Sequence, residues 1–145
     1  MPPGQAHLCR SGPTLSARGG AATYRSALAG VDATGFTALS LRVGLAQGDT
    51  ANAAGVDFEI LLRDALGQSA AVSSADYGHA LFDPPGEPFH ARGAEKTTLN
   101  AIRVPLSAFA GISLSQLMAV ELHFGDSAAG DIQLTELMLQ GSMLP

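Results

Sequence analysis

The chain is 145 residues long with a formal net charge of −5, and 46% of it is hydrophobic while only 14% is charged, against about 25% in an average globular chain. That length supports one folded unit with its own core, and the hydrophobic content excludes a disordered chain. The eight basic residues are scattered over an acidic chain, which argues against nucleic-acid binding, and no window reaches the roughly 20 apolar residues of a membrane span.

In chain order, the opening "MPPGQAHLCR" lacks the basic start and apolar middle of a secretory signal, so the chain is expected either to be cytosolic or, the preferred reading, to be excised from or appended to a larger secreted chain. Cys9 is the single cysteine, which rules out an internal disulfide and leaves a buried small hydrophobe as the preferred reading over a reactive thiol. Strands are expected near "HLCR" and "TYRSALAG". In "FTALSLRVG" the alternation places Leu39, Leu41 and Val43 inward and Ala38, Ser40 and Arg42 outward. In "VDFEILLRD", Val56, Phe58, Ile60 and Leu62 share a face, Asp57, Glu59 and Arg63 the opposite one, and Leu61 is an apolar exception outside. Asp64 and Gly67 then fit the first and fourth positions of a type I turn leading into "QSAAVSSA", whose small polar residues suit an outer strand.

"DYGHALFDPPGEPFHARGAE", residues 76–95, sets Tyr77, His79, Phe82, Phe89 and His90 among prolines and glycines. A long loop stiffened by proline and carrying aromatic side chains is a candidate ligand contact; packing on a neighbouring domain and plain structural filler are the other readings. "TLNAIRVPL" alternates again with Ile102, Val104 and Leu106 inward, and Pro105, lacking an N–H, ends the ladder. "LSAFAGISLSQL" is expected to cross the end of the fold, with Ser113 and Gln116 as a capping box for one short helical turn and Phe109 and Leu117 as plugs. In "LMAVELHFG", Met118, Val120, Leu122 and Phe124 are expected inward against Glu121 and His123 outward. "GDSAAG" misses the Gly-x-Ser-x-Gly pattern by one residue and is expected to be a hairpin loop. In "DIQLTELMLQ" the parity changes between Ile132 and Leu134 and Leu137 and Leu139, which requires a β-bulge around Thr135 and Glu136.

Roughly seven or eight strands without a sustained helical pattern predict an all-β fold, a jelly-roll β-sandwich of two antiparallel sheets forming one domain over 1–145. No catalytic constellation accompanies it: His7, His79, His90 and His123 have no metal-binding spacing, and the neighbouring carboxylates Asp57 and Glu59 are explained by a solvated face. The chain is therefore not expected to be an enzyme.

"TLNAIRVPLSAFAGISLSQLMAVELHFGDSAAGDIQLTELML", together with "GFTALSLRVG" and "VDFEILLRDALGQSAAV", resembles the galactose-binding-like jelly rolls of carbohydrate-binding modules and accessory domains of secreted bacterial hydrolases. The resemblance implies a non-catalytic module that recognises carbohydrate or another polymer through Tyr77, His79, Phe82, Phe89 and His90, or through a polar face bearing Arg42, Glu59, Glu121 and His123. It also implies a catalytic domain in the same parent chain and an extracellular setting. The alternative is a structural accessory domain that packs on its catalytic partner through Leu61 and Leu81 with Phe82 or Phe89. Members of the group often hold a structural calcium at a run like Ile-x-Leu-Asp-Asp-Leu. The matching positions here are Ile132, Leu134, Thr135, Glu136 and Leu137, so Glu136 with Asp32 or an N-terminal carbonyl would have to begin the ligand set, and a bulge carrying an exposed glutamate is the other reading. No cofactor beyond that calcium is expected.

Overall fold

The alternating stretches are strands. The computed structural model describes residues 5–18, 22–45, 56–78, 99–125 and 129–141, and among them eight strands run in order: β1 (Gln5–Arg18), β2 (Ala22–Val31), β3 (Ala38–Leu45), β4 (Glu59–Asp64), β5 (Ser69–Ser73), β6 (Asn100–Pro105), β7 (Leu117–Phe124) and β8 (Ala129–Gln140). One four-stranded sheet has the order β1-β8-β3-β6 and the other β2-β7-β4-β5, every pairing antiparallel. The first strand pairs with the last, the second with the seventh, the third with the sixth and the fourth with the fifth, so the chain is one long hairpin rolled up until alternate pairs fall in alternate sheets. That is a jelly roll.

The inward-facing residues are the ones alternation marks. Leu39, Leu41 and Val43 of β3, Ile102 and Val104 of β6, and Ile132, Leu134, Leu137 and Leu139 of β8 face Ile60 and Leu62 of β4 and Val120 and Leu122 of β7 in one buried cluster. Phe58 and Phe124 close one edge of it with ring centroids 5.2 Å apart and tilted by 45°. The parity change in β8 is a bulge: Leu41 pairs with Leu137 but Arg42 with Thr135, and the skipped residue, Glu136, takes a φ of 43°.

Three expectations need correction. Met118 is 37% exposed, and Leu117 is the buried residue in its place. Against β4 the pairing passes from Arg63 with Ala119 to Asp64 with Leu117, which makes Met118 an extra residue, while against β2 the excess is on the other strand, Leu28 to Gly30 lying between Ala27 and Val31. The helical turn falls at Leu106–Ala108, where Phe109 N–H bonds Leu106 C=O, and not at Ser113–Gln116. Ser113 spends its N–H on Asp64 Oδ2 at 2.9 Å and its hydroxyl on Ser115, so no capping box forms. "GDSAAG" is no hairpin, because β7 and β8 belong to different sheets and the connection crosses between them; Ser127 lies outside the described residues.

The two ends of the sandwich differ. At one, the connections 32–37, 65–68 and 106–116 are laced by backbone bonds from Ala33 N–H to Leu114 C=O, Ala65 N–H to Gln116 C=O and Leu106 N–H to Thr37 C=O. The Asp64 side chain joins them: Oδ1 accepts the N–H groups of Leu66 and Gln68, each at 2.9 Å, while Oδ2 takes that of Ser113. Gly67, at φ 79°, closes the β4–β5 turn on Asp64 C=O, as its position in the sequence predicts. Phe109 and Leu117 are buried beneath this closed end. The C-terminal ends of β1, β3, β5 and β7 lie at the opposite end.

Candidate functional site

Of the residues singled out for ligand contact, Tyr77 and Arg42 are described, and His79, Phe82, Phe89 and His90 lie outside the described residues, as do Leu81 and the side chains of His7 and Cys9. Tyr77 follows a 3-10 turn at Ser74–Asp76, anchored by the buried Ser74, whose hydroxyl accepts Phe58 N–H at 3.0 Å. The Tyr77 ring packs half-buried against the core at the end opposite the closed one.

Arg42 stands on the outer face of the β1-β8-β3-β6 sheet and is met there by the bulge residue, Glu136, with Nε 3.1 Å from Oε2. The bulge delivers Glu136 to Arg42 by adding a residue to β8 beside it. Asp32 sits between β2 and β3, where Oδ1 accepts both the N–H of Thr34 at 2.9 Å and its hydroxyl at 2.6 Å; these bonds hold its carboxyl below the usual carboxylate range. Each carboxylate implied for calcium has a protein partner, and among the described residues no three His, Cys, Asp or Glu side chains converge.

The polar face foreseen for Arg42, Glu59, Glu121 and His123 is divided. Glu59 and Glu121 with His123 belong to the β2-β7-β4-β5 sheet, and Arg42 to the other. Parity separates inside from outside but does not tell which outer face a strand serves.

On that second face the register sets out a grid. Thr23, His123, Glu59 and Ser73 form one row; Arg25, Glu121, Leu61 and Ala71 the next; Ala27, Ala119, Arg63 and Ser69 the third. Glu121, on central β7, is sunk to 7% side-chain exposure. Arg25 from β2 approaches Oε1 with Nε at 3.6 Å, and Arg63 from β4 approaches the same oxygen at 3.4 Å and Oε2 with Nη2 at 3.5 Å. His123 Nε2 lies 2.8 Å from Oε2. Burial opposes the charge on Glu121, but the hydrogen bonds and charges of His123 and Arg63 outweigh it and hold the carboxyl below its usual range. Sequence reasoning placed Glu121 and His123 outside and missed Arg25 and Arg63 as their partners. The signal available was a lone Glu in an apolar strand, but its neighbours come from strands fixed only by topology.

No protein-family model matches the chain, and no curated protein sequence matches it. Solved structures do. The chain is similar to a family 30 carbohydrate-binding module of a Clostridium thermocellum cellulosomal cellulase, with a TM-score of 0.62 and 9% identity over 97% of this chain and 99% of that one. It is also similar to a family 11 carbohydrate-binding module of another cellulosomal cellulase of that organism, with a TM-score of 0.54 and 10% identity over 96% and 95% of the two chains. A family 11 module from Clostridium thermocellum in complex with a β-1,3-1,4-mixed-linked tetrasaccharide matches with a TM-score of 0.52 and 11% identity over 98% of each chain. At these identities the likeness is one of fold, and the fold is the β-sandwich of carbohydrate-binding modules.

Proposed function

We propose that the chain is a non-catalytic carbohydrate-binding module, a single galactose-binding-like domain serving as accessory to a catalytic domain in a secreted, extracellular protein. The observation that carries this reading is the likeness to carbohydrate-binding modules over nearly the whole of each chain. The proposed contacts are Tyr77, His79, Phe82, Phe89 and His90 in the connection after β5, with Arg42 on the neighbouring face. Aromatic side chains offer apolar faces to sugar rings, and connections at one end of a rigid sandwich are where such residues are presented.

The test is retention of the isolated chain on insoluble cellulose and in gels cast with soluble β-1,3-1,4-glucan, xylan and pectin. Retention on at least one polymer, with no turnover of ester or glycoside substrates, is expected. Passage through all of them unretarded overturns the reading. A structural accessory role, packing on a catalytic partner without a small ligand, is the second reading. It is the reading left standing if removal of the domain destabilises a parent enzyme without changing its affinity for polymer.

A further inference from the structure

We infer that the outer face of the β2-β7-β4-β5 sheet is a second ligand surface, at which Arg25 and Arg63 receive the carboxylate of a uronic-acid sugar in an acidic polysaccharide. This rests on the carbohydrate-binding reading and extends it to a different face and ligand class. Two permanent cations converge on one carboxylate oxygen, so Glu121 neutralises one of them and leaves the pair with surplus positive charge on a chain of net charge −5. The contacts are also loose. Arg25 touches Glu121 through Nε alone at 3.6 Å, and Arg63 meets its two oxygens through Nε and Nη2 at 3.4 and 3.5 Å, so each guanidinium keeps further N–H donors of its five free of Glu121. The side chains of Arg25 and Arg63 are 56% and 36% exposed above the sunken carboxylate, so the unspent donors face solvent.

Glu121 acts as the positioning residue. It draws both forks over the centre of the sheet, so an incoming carboxylate meets donors whose freedom has already been reduced. The surroundings leave room for approach: Ala27 and Ala71 are small and exposed, and Leu61 supplies a half-buried apolar spot beside the cations. Among the described residues Glu59, four residues from Arg63 along β4, makes no ion pair with either arginine, and at the rim it is placed to accept sugar hydroxyls. A uronic acid carries both groups this face answers, a carboxylate and hydroxyls.

Affinity electrophoresis and calorimetry with polygalacturonate and alginate, set beside neutral β-1,3-1,4-glucan, test the inference. Uronate polymers are expected to bind in a salt-sensitive manner, and Arg25→Ala and Arg63→Ala each to weaken that binding about tenfold. Glu121→Gln is expected to weaken it also, with neutral glucan retained as before. Retention on neutral glucan, cellulose or xylan without uronate binding overturns this inference alone, and retention on none of the polymers of either class overturns both readings. Uronate binding that survives high salt, or is unchanged in the Arg25→Ala, Arg63→Ala double variant, assigns the cluster a purely structural role; thermal melts of each variant separate lost binding from lost fold.

Discussion

Asp64 shows how one side chain can hold two connections together. Its carboxylate takes three backbone N–H groups, and those bonds, led by that of Ser113, outweigh the effect of burial and keep its carboxyl below the ordinary value of 3.8. A depressed carboxyl contributes stability that is complete above its unfolded value and is lost as pH falls through its folded one. Asp64→Asn is therefore expected to melt several degrees below the parent at neutral pH, with the gap closing as the pH is taken below 3.8. A gap that is constant with pH contradicts the argument. Glu136 is held by Arg42 in a conformation that L-residues rarely adopt. EDTA is expected to leave the melting temperature unchanged. A fall of about ten degrees that disappears in Glu136→Gln shows instead that an ion is bound there.

Along the strands, sequence pattern was informative wherever only one parity was apolar. In β3 and β4 the outward positions hold Arg42, Glu59 and Arg63, which fix the parity despite the apolar Leu61 among them, and the β8 bulge was legible because leucines occupy both parities on either side of Glu136. At the start of β7, Leu117 and Met118 are both apolar and either could have been buried; the slip against β4 settles it. Leu122→Ala should therefore cost about 2–5 kcal/mol and Met118→Ala less than about 0.5 kcal/mol in chemical denaturation. Comparable losses at the two positions contradict the bulge. The Glu121 cluster was illegible for a different reason, since Arg25, Arg63 and Glu121 are far apart in the chain and meet only once β2 and β4 flank β7.

For the whole molecule the decisive pairing is β1 with β8, which joins residues near the two extremes of the chain and covers most of the length of the longest central strand. Removing residues 1–18 bares that strand's hydrogen-bonding edge, a template for association. The truncated chain is expected to lose more than about 3 kcal/mol of stability, beyond most single core substitutions, and to associate in light scattering. A monomer with an unchanged melting temperature contradicts this.

Because Gln5 and Gln140 are register partners at the laced end, any chain preceding one or following the other leaves from the same pole. A tether at either terminus then holds the sandwich by its closed pole, and the C-terminal ends of β3 and β5 lie at the far pole. A ligand met beyond the far ends of β3 and β5, as proposed above, and a domain carried on the tether would then be separated by the length of the sandwich, and neither would have to make room for the other.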